Sequence, residues 1–153
     1  RRSGRVQERG AKVTIFVLDN AVTMRWLLAT EKRADQVYAE SVLSSLAQAQ
    51  ALVPGLWHLE VCNVSIGAER RGDTTAGEVE AFLAHIEDLP VRVDPMSSAK
   101  AFSRTLGLAR SYALSAYDAA YLELAIREHA PLATLDKSLR KAATRAGVPL
   151  YLR

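Results

Sequence analysis

The chain has 153 residues, the size of one ordinary domain. Hydrophobic residues make up 49% and charged residues 24%, which excludes a disordered composition and leaves enough apolar material for a sizeable core. The formal charge of +3 and sequence pI of about 9.2 are compatible with a polyanionic partner without singling one out.

Cys62 is the single cysteine, so no internal disulfide can form, which fits a reducing, cytoplasmic compartment. Its setting predicts a small buried or half-buried thiol. No apolar stretch is long enough to span a membrane. Residues 1–12 carry Arg1, Arg2, Arg5, Arg9 and Lys12 against Glu8 alone. They read as a flexible basic arm, and no apolar run of the signal-peptide kind follows them. The folded domain is expected over residues 13–153.

In chain order, Val13 to Leu18 is an apolar, β-branched run that suits a central parallel strand buried on both faces. A short helix follows around Val22, Met24 and Trp26. Glu31 to Gln50 predicts a second helix, and Ala51 to Pro54 a second strand stopped by Pro54-Gly55. Leu56 to Arg71 predicts a helix closed by Gly72. Thr75 and Glu78 form a capping-box pattern that opens a helix reaching about Asp88. Val91 to Asp94 is a third strand. Ser97 to Tyr112 is helical, loosened near Gly107. Ser115 and Asp118 open another helix that reaches about His129. Pro131 to Leu135 is a fourth strand, and Asp136 begins a last helix ended by Gly147. Pro149 to Leu152 closes the chain as a final short strand. Strands separated by helices imply parallel pairing with right-handed crossovers. The expected fold is one α/β/α sandwich around a mainly parallel sheet.

Four acids stand out. Asp19 and Asp136 each follow a strand, where open α/β sheets bind ligands. Each would also serve as an ordinary N-cap. Asp118 is spaced with Tyr121, Leu122 and Ala125 on an apolar stripe, with Glu123 and Arg127 on the other side. A lone carboxylate there is costly to bury unless the helix N-terminus or a shared cation satisfies it. Glu60 repeats the pattern more faintly, with Val64 and Gly67 one and two turns on. Two carboxylates about 4 Å apart repel by on the order of 4 kcal/mol at an effective dielectric near 20. A hard divalent cation would relieve that repulsion, and all-oxygen ligands suit Mg²⁺ or Mn²⁺ over zinc.

Four blocks carry a family resemblance: Leu18-Asp-Asn-Ala-Val-Thr-Met-Arg-Trp-Leu-Leu28, Pro54-Gly-Leu-Trp-His-Leu-Glu-Val-Cys-Asn-Val64, Tyr117-Asp-Ala-Ala-Tyr-Leu-Glu-Leu-Ala125 and Leu132-Ala-Thr-Leu-Asp-Lys-Ser-Leu139. In this order they resemble the PIN-domain ribonucleases, and most closely the VapC-like toxins of bacterial type II toxin–antitoxin modules. The resemblance implies a metal-dependent endoribonuclease. Asp19, Glu60, Asp118 and Asp136 match the family's acidic positions. Asn63 matches a polar residue common near the site, and Thr134 a hydroxyl two before the last acid. One departure is Ala21, where the family often carries a small hydroxyl residue that supports hydrogen bonding around the metal. Asn20 is the neighbouring polar group available to compensate. The resemblance also implies a homodimer and a cognate antitoxin, for which an apolar groove formed by the early helices is a landing surface.

A basic rim should draw RNA to so negative a site. Arg25, Arg70, Arg71, Lys137, Arg140 and Lys141 are its candidates, each equally readable as a solvated helix face. His58, His85 and His129 have no metal-ligand spacing. Trp26, Trp57, Tyr117 and Tyr121 are expected in the core rather than as base-stacking platforms. The rival reading is a non-catalytic PIN-like scaffold that binds RNA or protein, supported by Ala21. A haloacid-dehalogenase-like phosphatase needs a second acid where Ala21 stands, and neither a P-loop nor a glycine-rich dinucleotide turn occurs.

Overall fold

The structure is a computed structural model and describes residues 13–153; the expected basic arm, residues 1–12, lies outside the described residues. β1 (Thr14–Leu18) occupies the middle of a four-stranded sheet. It pairs in parallel with β2 (Ala49–Val53) on one side and with β4 (Leu132–Ala133) on the other. β3 (Val91–Val93) adds to β2, also in parallel, so the strand order is β3-β2-β1-β4. Phe16, Val17 and Leu18 are fully buried, as an unbroken apolar run in a central strand must be.

Between β1 and β2 lie α1 (Asn20–Thr23), a 3₁₀ turn (Met24–Trp26) and α2 (Arg33–Ser45). α3 (Trp57–Arg71) and α4 (Ala76–Glu87) connect β2 to β3. α5 (Ser97–Lys100), a π-helical segment (Ala101–Thr105), α6 (Leu106–Tyr112) and α7 (Ala116–Arg127) connect β3 to β4. α8 (Lys137–Arg145) follows β4. The sheet grows outward from β1 in one direction as far as β3, then jumps back across β1 to β4. With right-handed crossovers the reversal puts α1–α4 on one face and α5–α8 on the other. The result is the expected single-domain α/β/α sandwich.

Several expected boundaries shift. α2 ends at Ser45 rather than Gln50, because Ala49 and Gln50 are taken into β2 opposite Thr14 and Ile15. The final strand shrinks to one parallel bridge between Leu150 and Leu132. The loosening of the long helix falls at Ala101–Thr105, just before Gly107. The Thr75–Glu78 capping box forms with both reciprocal bonds. Gly72 takes φ +78, the left-handed cap that lets α3 stop there.

The burial expected for Cys62 is corrected. Cys62 is exposed, because Val61 and Ser65 are the α3 residues that turn inward. Glu123 is buried, because α7 is covered by the α5–α6 layer as well as by the sheet. Arg127 neutralises it: Nε donates to Glu123 Oε1 at 2.9 Å. The same guanidinium grips Asp94 with two bonds of 3.0 and 2.7 Å. Ser97 Oγ donates to Asp94 at 2.6 Å. This clamp ties the end of β3 and the start of α5 to the last turn of α7.

Candidate functional site

The reversal of strand order lies between β1 and β4, so the crevice at their carboxyl ends is the topological switch point. The Asp19 backbone N–H donates to the Ala133 carbonyl at 3.0 Å and locks the two strand ends together. Asp19 follows β1 and Thr134 follows β4. α3 departs from the same edge after β2, which brings Glu60 in its first turn to that edge. α7 runs back against the strands into β4, so Asp118 in its first turn lies there too. Asp136 is the N-cap of α8. The N-termini of α3, α7 and α8 therefore turn their partial positive charge toward this edge, which favours anions.

Hydrogen bonds fix three of the four acids. Thr134 Oγ1 donates to Asp19 Oδ2 at 2.6 Å. The same hydroxyl accepts from the Asp136 backbone N–H at 3.1 Å. Asp136 Oδ1 accepts from the Leu139 N–H at 2.8 Å, an N-cap bond. Tyr121 Oη donates to Glu60 Oε1 at 2.6 Å. Ser115 Oγ caps α7 by accepting from the Asp118 N–H at 3.1 Å.

Electrostatics join the acids into one cluster. Asp19 is 5% exposed, and burial is the main reason its carboxyl rises from 3.8 to about 7. The Thr134 bond and the Ala21 backbone pull it down, while the charges of Asp118 and Glu60 push it up. Glu60 is raised by burial, lowered by its Tyr121 bond and raised again by Asp118. Asp118 is raised by burial and then by Asp136, against a lowering bond from Ser115. Burial, then Asp19 and Glu60, push the Tyr121 phenol far up, so it stays a donor.

The remaining expected residues divide. Asn63 is exposed, one turn beyond Glu60 on α3. Asn20 Oδ1 is buried and has no hydrogen-bond partner among the described residues, so it does not replace the hydroxyl absent at Ala21. Arg140 is held inward: Nε donates to the Thr134 carbonyl at 2.9 Å, and burial then Arg153 lower its pKa. Lys137 and Lys141 are exposed on α8, and Arg25 is half-buried beside α1. Arg71 is paired with Asp73 on the surface and Arg70 is exposed. Trp57 and Tyr121 are buried as expected, but Tyr117 is 66% exposed. Tyr121 was legible as core, whereas its hydroxyl role was not. Its place three residues after Asp118 was the available signal.

The PIN domain family profile matches residues 16–145. The chain belongs to the PIN domain family. The matched span begins in β1 and ends with α8, so it contains all four acids. Among curated proteins no relative matches it. Membership of the PIN family points to nuclease-type activity and an RNA ligand. None of the helices among the described residues is long and apolar enough to cross a membrane.

The PIN family typically uses divalent metals. The donors are all carboxylate oxygens, and a hard cation would offset both the burial that chiefly raises Asp19 and the lesser push of Asp118 and Glu60. Among the described residues no three Asp, Glu, His or Cys side chains stand at a spacing that would already hold an ion. The donor chemistry fits Mg²⁺ or Mn²⁺, and binding would have to draw the carboxylates together.

Proposed function

We propose that the protein is a metal-dependent endoribonuclease and the toxin of a cytoplasmic toxin–antitoxin pair. What carries the reading is the meeting of Asp19, Glu60 and Asp118 at the switch point, with Asp136 beside them. Asp19 and Asp118 are assigned as main ligands for Mg²⁺ or Mn²⁺. Asp136 is a ligand or orients one, and Glu60 acts through water or as the positioning base. When bound, the ion supplies charge against the reacting phosphate and lowers the pKa of water.

The chain's own groups do the rest. Thr134 holds the Asp19 carboxylate in one orientation and Tyr121 holds Glu60. Glu60 accepts the proton of a water that attacks phosphorus. The P–O3′ bond breaks and the departing 3′-oxygen takes a proton from solvent, leaving a 5′-phosphate and a 3′-hydroxyl. The N-termini of α3, α7 and α8 direct N–H groups toward the phosphate. Asn63 is read as a supporting polar group beside Glu60 and Arg25 and Lys137 as rim contacts for RNA, while Arg140 braces the Thr134 carbonyl.

The test compares cleavage of an oligoribonucleotide by wild type and Asp19→Asn, with Mg²⁺ and then in chelator. Cutting that persists in the variant or in chelator defeats the mechanism. The alternative, a non-catalytic scaffold that binds RNA or protein, draws on Ala21, the unpartnered Asn20 oxygen and the open spacing of the acids. It requires binding without cleavage at every metal concentration. The toxin role implies a homodimer and a cognate antitoxin that covers the acids. Growth arrest on expression, reversed by co-expressing a neighbouring antitoxin gene, tests that role.

A further inference from the structure

α3 is tied to its surroundings by polar bonds at one end. Among the described residues two of its side chains hydrogen-bond to other elements: Trp57 Nε1 donates to Thr23 Oγ1 at 3.2 Å, and Glu60 accepts from Tyr121 Oη at 2.6 Å. Both fall in the first turn. Farther along, Ser65 turns back onto its own helix at Val61, and Arg71 pairs with nearby Asp73. Val61 and Ala68 hold the rest of the inward face by apolar packing. Apolar burial is not directional, whereas a hydrogen bond weakens steeply as its geometry opens. The orientation of α3 is therefore set where it carries Glu60.

The Trp57 bond continues to Asp19. Thr23 Oγ1 accepts from the indole and donates to the Asp19 carbonyl at 3.4 Å. Trp57 is 3% exposed and Thr23 is fully buried, so water does not stand in for either partner. Neither α1 nor α3 has a side-chain cap at its N-terminus. Among the described residues the Trp57–Thr23 bond is the one side-chain hydrogen bond between these helices. A buried indole N–H needs some acceptor for stability alone. Here the acceptor is a hydroxyl that passes the contact on to the residue carrying the most buried of the four acids.

We propose that Trp57 and Thr23 are positioning residues that set the separation of Asp19 and Glu60, and with it how tightly the acidic cluster takes a divalent cation. The inference rests on the metal-dependent reading for its cation. The acids stand at an open spacing, so an ion must order them as it binds. Freedom at the start of α3 adds to the entropy lost in that step. Groups that orient a metal's ligands typically change its affinity by about 10- to 100-fold.

The experiment titrates the full chain with Mn²⁺, reads the free ion by electron paramagnetic resonance, and records melting on the same samples. Trp57→Phe keeps a ring in the core and removes the donor. Thr23→Val keeps the side-chain shape and removes the hydroxyl. Each should weaken Mn²⁺ binding about tenfold, and Thr23→Ser, which retains the hydroxyl, should bind as wild type does. The two losses should not multiply in the double variant, because both break one chain of bonds. Ile86→Val, a small core truncation on α4, should lower the Tm without moving the affinity. Beside Glu60→Ala, Trp57→Phe should cost almost nothing further, since the link acts through Glu60. Wild-type affinity in both Trp57→Phe and Thr23→Val would overturn the assignment. So would a loss that Ile86→Val reproduces, or one that persists in full beside Glu60→Ala, because either would reflect a loosened core. A folded wild type that binds no Mn²⁺ would remove the metal-dependent reading itself, and the role of the link with it.

Discussion

Thr134 Oγ1 donates to Asp19 Oδ2 at 2.6 Å while accepting from the Asp136 N–H, so one hydroxyl couples the ends of β1 and β4 and two of the four acids. That bond lowers the pKa of a carboxyl that burial drives upward. Thr134→Val keeps the side-chain shape and removes both bonds. The loss leaves a buried carboxylate with fewer partners, at a cost of about 1–3 kcal/mol. The Asp19 pKa should rise further, so cleavage should fall most below pH 7 and recover partly on the alkaline side. A pH–rate profile identical to wild type would show that the hydroxyl does not tune Asp19.

Tyr121 does two jobs that one substitution separates. Its ring is fully buried in the core, and its hydroxyl lowers the pKa of Glu60. Tyr121→Phe keeps the packing and removes the bond. Stability should change by only about 1 kcal/mol. The Glu60 pKa should rise, and kcat should drop by about tenfold or more, in line with loss of an oriented acid–base group. Unchanged kcat with ordinary stability would remove Glu60 from the reaction.

Burial at the end of a central strand was readable from Val13 to Leu18, since only an unbroken apolar run suits a strand covered on both faces. The positions of Asp19 and Asp136 follow from that strand logic, and that of Asp118 from its apolar stripe. The end of α2 was not readable. Ala47 to Gln50 are good helix formers, and pairing of Ala49 and Gln50 with β1 overrides their preference. The burial of Glu123 was not readable for a related reason: periodicity places it opposite Asp118 but says nothing of the α5–α6 layer that covers that side. Tyr117 was expected inside because aromatics usually are, and only the sandwich shows that its helix start borders open groove.

The backbone of Ala113 offers a stability test remote from the acids. It caps α6 with φ 52 and ψ 44, a left-handed conformation that costs a residue with a Cβ about 1–2 kcal/mol. Ala113→Gly removes the clash and adds entropy to the unfolded chain. The net gain should be roughly 0.5–1 kcal/mol, visible as a higher urea midpoint with an unchanged slope. Destabilisation would mean that the alanine methyl packs to an advantage larger than its strain.

The Arg127 clamp should be among the costliest surface-accessible positions to alter. Arg127→Met leaves Glu123 and Asp94 buried without their cation, a loss of about 3–5 kcal/mol. The Asp94 pKa lies below the usual value despite the upward push of burial, its largest influence, because bonds from Arg127 and Ser97 outweigh that push. A depressed folded pKa gives stability that is present above 3.8 and lost as pH falls through the folded value. Wild type should therefore show an acid-unfolding limb below pH 4 that Arg127→Met flattens. A variant as stable as wild type at pH 7 would show that the clamp orders α5 without holding the fold.

Asp19 has the opposite sign, and this sets the acidic cluster against the stability of its own scaffold. Its folded pKa of about 7 exceeds the unfolded 3.8, so the native state binds the extra proton between those values. Stability without metal must then decline as pH rises from about 4 through 7. At 1.36 kcal/mol per unit the full loss is on the order of 4 kcal/mol above pH 7. Asp19→Asn cannot ionise and escapes that loss. In chelator at pH 8 the variant should melt roughly 8–16 °C above wild type, and the two should converge at about pH 4 and below. Mg²⁺ or Mn²⁺ should raise the wild-type Tm at pH 8 and leave Asp19→Asn almost unmoved, since the ion replaces the proton that Asp19 would otherwise keep. Equal melting of the two proteins across this range would mean that Asp19 ionises freely, and the cluster would then have no stored repulsion for a cation to relieve.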